Sequence, residues 1–142
     1  MERVTGIGGV FFKTQDPKAM MAWYEAHLGI QPGGPGEMHA MFPWRDHQDP
    51  QVEGATVWSL FPHDTKYFGT GPALFMINYR VADLDALLAQ LRLEGVAVED
   101  RIEESYGRFA WITDPEGNRI ELWEPPKETT EPTEPTNGEQ TP

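Results

Sequence analysis

Glu121 is the residue in this sequence best placed to do chemistry. It lies in the run RIELWE, between an arginine and a tryptophan, and a second aromatic run, RFAWIT, precedes it across the turn DPEGN. A proline that fixes φ, followed by Gly117 and Asn118, suits a five-residue hairpin link. Pairing Thr113 with Arg119 then sets Trp111 opposite Glu121. Because side chains alternate along a strand, Phe109, Trp111, Thr113, Arg119, Glu121 and Trp123 fall on one face. Ala110, Ile112, Ile120 and Leu122 fall on the other, which is wholly apolar and belongs on a core. A carboxylate among aromatic rings is the composition of a binding floor, or of a packed interface with one buried charge. In the second case Arg80 or Arg119 is the expected counter-ion.

Other chemistries are excluded early. The chain has no cysteine, which removes disulfides, thiolate metal sites and a cysteine nucleophile together. Its four histidines, His27, His39, His47 and His63, show no HxH or HxxxH spacing. His27 falls on a helix and His47 in a polar link. No Ser–His–Asp set, phosphate loop or dinucleotide fingerprint is present, and the GxGG at Gly6–Gly9 lies within a strand rather than at a strand-to-helix turn.

The elements that must position Glu121 can be read in order. Residues 7–13 read as a strand, with Phe11 and Lys13 on the face of Gly9, and Val10 and Phe12 opposite. Asp16 caps a helix with Pro17 at its first position, and Gly29 ends it. Ala19, Met20, Trp23, Tyr24, His27 and Leu28 form its expected apolar stripe. After the loop QPGGPGEM, residues 39–45 and 56–61 read as strands, and residues 63–72 as a further loop. Residues 73–81 alternate as a strand, with Met76, Asn78 and Arg80 on one face. Asp83 caps a second helix with the stripe Leu84, Leu87, Leu88 and Leu91, and Gly95 closes it. Lys13, Asp16, Ala19, Met20 and Ala22 each precede a like residue of this second unit by the same spacing of 67 positions (Arg80, Asp83, Ala86, Leu87 and Ala89). The strand–helix–strand–strand order therefore occurs twice, with room for one more short strand in each half.

Charge and composition bound the partners. The formal charge is −12, and the last 18 residues, PPKETTEPTEPTNGEQTP, carry −3 of it with no aromatic or branched aliphatic side chain. Residues 125–142 are thus expected to be a disordered acidic tail, because they cannot bury enough surface to order themselves. The remaining −9 on residues 1–124 repels nucleic acid. No apolar run approaches the ~20 residues that span a bilayer. With no signal-peptide pattern at the N-terminus, the expectation is a soluble cytoplasmic protein.

Three stretches, AWYEAHLGI, YRVADLDALLAQLRLEGV and DPEGNRIELWE, occur in an order and spacing that resemble the vicinal oxygen chelate superfamily, the glyoxalase, bleomycin-resistance and extradiol-dioxygenase group. The resemblance covers residues 5–124. It implies an α+β domain of two tandem βαβββ modules, residues 5–62 and 73–124, forming a half-open mixed barrel around a cleft. In the metalloenzymes of the group the cleft holds a divalent metal. Carried across, the first-strand ligand position falls on Gly9, its repeat on Met76, and the first module's last-strand position on Trp58. Only Glu121 matches a ligand, so no metal and no other cofactor is expected. The alternative is one divalent ion, with His39, His47 or His63 swinging in to join Glu121. By strand parity the cleft is lined with Phe11, Lys13, Met76, Asn78, Arg80, Phe109, Trp111, Glu121 and Trp123. The leading expectation is a metal-independent small-molecule binding protein and homodimer, similar in layout to the bleomycin-binding members. The alternative is a lyase, isomerase or dioxygenase of glyoxalase type, with an altered metal site or with Glu121 as an unassisted base. A non-catalytic interaction module is a third class, disfavoured by the single-domain length.

Overall fold

A computed structural model describes residues 1–127. The expected disordered tail falls almost entirely on residues outside that range. Seven strands and two helices follow the order β1 (Val4–Thr14), α1 (Pro17–Leu28), β2 (His39–Arg45), β3 (Glu53–Pro62), β4 (Phe75–Val81), α2 (Leu84–Leu93), β5 (Asp100–Glu104), β6 (Gly107–Thr113) and β7 (Arg119–Glu124). All seven strands join one mixed sheet, ordered β2-β3-β1-β4-β7-β6-β5. The ladders β1/β3 and β4/β7 are parallel, and the other four are antiparallel. No helix among the described residues is long and apolar enough to cross a membrane.

The first half holds three strands where the expected module has four. Residues 30–38, IQPGGPGEM, carry two prolines and three glycines and run as loop and turn, since proline cannot donate to a ladder and glycine weakens one. The hairpin of β6 and β7 has the register that its turn dictates, Thr113 opposite Arg119 and Trp111 opposite Glu121. Asp114 stitches that turn by accepting from the backbone N–H groups of Glu116 and Asn118, both at 2.9 Å.

Both helices start on aspartate caps. Asp16 accepts from Ala19 N at 3.0 Å and Asp83 from Ala86 N at 3.1 Å. Gly29 ends α1 at φ 69°, a left-handed conformation natural to glycine. Helix α2 buries Leu84, Leu87 and Leu88 against Ala110 and Leu122 of the hairpin's apolar face and Val81 of β4. Helix α1 differs from its expected stripe. Only Met21 is buried, while Trp23 and Leu28 are 51% and 60% exposed. Tyr24 alone of the stripe's aromatics meets the sheet, edge-on to Trp58 and Phe12 at 4.8 and 6.0 Å between centroids.

Both helices cover one face of the sheet. The opposite face curls until residues of the two edge strands, His39 and Met41 of β2 and Ile102 and Glu104 of β5, line a single cavity.

Candidate functional site

The cavity holds about 460 Å³. Its walls are aromatic. Phe109 stands nearly parallel to Trp111 and Trp123, with centroids 6.4 and 6.2 Å away, because the three alternate onto one face of paired strands. Phe11, Phe61 and Tyr67 form a tilted cluster on the other side, with centroids 5.3–6.4 Å apart. Rings in such offset and edge-on arrangements pack favourably beyond their buried area.

Glu121 is 1% exposed and lines this cavity. Three neutral groups donate to its carboxylate: the Tyr67 hydroxyl to Oε2, Trp111 Nε1 to Oε2 at 3.0 Å, and Asn78 Nδ2 to Oε1 at 2.6 Å. The parallel β4/β7 ladder sets Asn78 beside Glu121, and the hairpin register sets Trp111 across from it. The expected pairing with Arg80 or Arg119 does not form. Arg80 lies across the strand end over Trp44, 4.2 Å from its ring centroid, and donates to Ile7 O at 3.2 Å. The missing side chain of Gly6 makes the space for it, since a Cβ there would stand 3.1 Å from the guanidinium carbon. Arg119 donates to Tyr67 O at 2.8 Å and sits 3.6 Å from Glu99.

Burial raises the Glu121 pKa above its ordinary 4.5, and the hydrogen bonds of Tyr67, Asn78 and Trp111, with the more distant charge of Arg119, offset only part of that rise. Tyr67 is itself pushed far above the ordinary tyrosine range, by burial first and then by the neighbouring charge of Glu121. The phenol of Tyr67 is therefore kept protonated as a donor to the carboxylate.

Of the residues expected in the cleft, Phe11, Asn78, Phe109, Trp111, Glu121 and Trp123 line the cavity together. Met76 lies beneath it in the packed aromatic cluster, 1% exposed. Arg80 and Lys13 are not among the lining residues, and Lys13 Nζ sits 5.4 Å from the centroid of the Phe68 ring. Sequence parity missed Tyr67, which a loop brings over the site, as well as Gly8, Ser59 and the mouth residues Glu37 and Glu104. Gly8 enters because the β1/β4 register shifts between Ile7 and Gly9, which turns Gly8 instead of Gly9 toward the cavity. Trp58 packs on the helix side with Phe12 and Tyr24, and it is Ser59 that lines the cavity. The paired glycines of β1 and the unexplained aromatics of DTKYFG were the available signals for the bulge and for Tyr67.

Donors for a metal are few. Among the described residues no group of three or more His, Cys, Asp or Glu side chains is placed to hold an ion. Of the histidines, His39 lines the cavity and lies 3.3 Å from Glu37, His27 packs tilted against Trp23 at 4.9 Å, and His47 and His63 are exposed. At Gly8 a Cβ would collide with Asn78 Oδ1 and stand 2.8 Å from Trp123 Cε3, so the space a ligating side chain would need there is filled.

Residues 6–122 match the family model of the glyoxalase/bleomycin resistance protein/dioxygenase superfamily. The chain belongs to this superfamily. No curated protein matches the sequence. Among solved structures, this superfamily chain is similar to a point variant of Streptomyces coelicolor methylmalonyl-CoA epimerase in complex with 2-nitronate-propionyl-CoA. That match has 22% identity and a TM-score of 0.62, over 87% of this chain and 99% of that one. It is also similar to methylmalonyl-CoA epimerase from Mycobacterium tuberculosis (23% identity, TM-score 0.55, 87% and 90% coverage). A glyoxalase/bleomycin resistance protein/dioxygenase superfamily member from Vibrio splendidus 12B01 matches at 14% identity and a TM-score of 0.52, over 87% and 99%. At these identities the likeness is one of fold.

Proposed function

We propose that this superfamily member binds a small organic molecule in the cavity above Glu121 and does so without a metal. The observation that carries the reading is the site itself, an aromatic cavity of about 460 Å³ whose floor is one buried carboxylate served by protein donors. Apolar walls with a few fixed polar groups are what a small-molecule pocket needs. Metal independence is supported by the groups around Glu121: one carboxylate, an amide and a glycine do not make the roughly three ligands a divalent ion takes, and the other carboxylates and His39 of the lining are not grouped with it. The filled space at Gly8 adds to that argument.

The test is a thermal-shift screen of planar aromatic compounds, with and without chelator, on protein whose metal content has been measured. Binders are expected to raise the melting temperature equally in both conditions, by mass action. Shifts seen only with a stoichiometric divalent ion would overturn the reading.

A second reading is an acid–base enzyme of lyase or isomerase type with Glu121 as its base. The raised pKa of Glu121 favours it, since a base must hold a proton long enough to move it. A coenzyme A thioester is disfavoured as its substrate. The cavity is lined by Glu37, Glu104 and Glu121 with no lysine or arginine, so bound phosphates would be repelled.

We read the two halves of the chain, residues 5–62 and 73–124, as repeats of one module. In support, Val10 pairs with Ile77, 67 positions later, and the flanking pairs Phe11–Met76 and Gly9–Asn78 exchange under the same offset. We also infer a homodimer, supported by apolar side chains that one copy leaves in water, Trp23, Leu28, Leu74 and Phe75 among them, all more than half exposed.

A further inference from the structure

We propose that the ligand of this cavity carries a protonated amine or amidinium whose N–H groups seat on Glu121, with a planar apolar body against Phe109, Trp111 and Trp123. The inference rests on the binding reading above and names the chemistry of the ligand.

Glu121 is a buried carboxylate with no cation in contact, the charge of Arg119 reaching it only from a distance. None of the ion pairs among the described residues includes it, and its three donors are all neutral. The nearby cation, Arg119, is engaged with Glu99 and Tyr67 O. An unpaired charge in a desolvated setting is costly, and a cation brought by a ligand removes that cost. The two carboxylate oxygens are not used equally. Oε2 accepts from both Tyr67 and Trp111, whereas Oε1 accepts only from Asn78 and keeps a lone pair for a further donor.

Asn78 supplies an independent observation. It is 2% exposed and lines the cavity, yet its Oδ1 has no hydrogen-bond partner. Because its Nδ2 is held by Glu121, the amide cannot rotate to satisfy that oxygen while the carboxylate is charged. Glu121 and Asn78 therefore offer acceptors: one site on Glu121 Oε1 and the carbonyl oxygen of Asn78. A ligand group with N–H donors and a positive charge complements both. A quaternary ammonium would bring the charge without the donors, and an alcohol a donor without the charge. The walls and the mouth agree in sign, with aromatic ring faces that attract cations, and Glu37 and Glu104 as the other carboxylates of the lining.

The experiment is a set of calorimetric titrations at neutral pH with three probes sharing one ring system: 2-naphthylmethylamine, its N,N,N-trimethylated quaternary analogue, and 2-naphthalenemethanol. The expected result is that the ammonium binds about tenfold or more tighter than either of the others. In Glu121→Gln the advantage of the ammonium over the other two probes is expected to vanish. If the alcohol binds as tightly as the ammonium, the pocket reading stands and the cation inference falls. If the quaternary ion binds as tightly or better, the charge sits on rings and not on Glu121, and the inference falls. Failure of all three probes would overturn the inference and the binding reading together. An advantage retained in Glu121→Gln would also overturn the inference, and the wild-type series decides by itself should that variant be unstable.

Discussion

Replacing Glu121 by glutamine should stabilise this protein at neutral pH, although it removes the one charged group of the cavity floor. The carboxylate is 1% exposed and receives three hydrogen bonds, from Tyr67, Trp111 and Asn78. Bonds to a charged acceptor contribute ~1.5–3 kcal/mol each and neutral ones ~0.5–1.5, so losing the charge forfeits about 3 kcal/mol across the three. Against this stands the desolvation of an ion with no cation in contact, an effective cost of several kcal/mol. The raised pKa of Glu121 says that desolvation is the larger of the two. The glutamine can also keep the network closed. Its oxygen takes the place of Oε2, and its amide faces Asn78, whose idle Oδ1 can turn to accept from it. We expect a net gain of about 1–2 kcal/mol, toward the low end of the ~1–4 kcal/mol that replacing whole buried ion pairs by apolar residues can give.

The gain should depend on pH in a defined direction. With its folded-state pKa above the unfolded 4.5, Glu121 stabilises the fold fully below 4.5 and loses that contribution as pH rises through the folded value. Urea denaturation of both proteins across that range should show curves that converge in acid, where glutamic acid and glutamine are near-isosteres, and separate toward neutrality. A variant less stable by ~3 kcal/mol or more at neutral pH would refute the reasoning, because it would show the three hydrogen bonds outweighing the burial of the charge.

Gly8→Ala should cost about 1–3 kcal/mol by overpacking, since its Cβ would meet Asn78 and Trp123; chemical denaturation measures it, and an unchanged midpoint would mean that this contact yields freely. Truncation after Glu124 should leave the melting temperature unchanged within about a degree, because the removed residues carry no large apolar side chain. A fall of several degrees would show that the tail packs on the body. Light scattering at micromolar concentration should give twice the 16.1 kDa chain mass, and the mass of one chain would refute the dimer.

How much of this site could be read from sequence varied with how local its causes are. The hairpin was legible because its turn fixes its register, so Trp111 beside Glu121 followed from five turn residues and alternation. The aspartate caps and the leucine stripe of α2 were legible for the same reason. Strand β1 was not: parity assumes an unbroken ladder, and a one-residue bulge at Ile7–Gly9 moves Gly8 to the face assigned to Gly9. Tyr67 was invisible because loops have no period, and its contact with Glu121 spans 54 residues. The partner of Glu121 was misjudged on the premise that a buried charge seeks an opposite charge. Three neutral donors serve it instead, and both arginines are held elsewhere by Trp44, Glu99 and backbone carbonyls. The expected stripe of α1 failed because the inward face of the helix runs through Met20, Met21 and Tyr24, which turns Ala19, Trp23 and His27 of the stripe outward.

The central claim, a cavity that binds its ligand by rings and a lone carboxylate without a metal, is tested most directly by one calorimetric comparison. Protein dialysed against chelator and protein supplied with zinc, nickel or manganese are titrated with the same naphthyl ammonium probe. One binding site per chain and the same affinity in every sample are expected. Binding that appears only when the ion is supplied, or that the chelator abolishes, would contradict the claim.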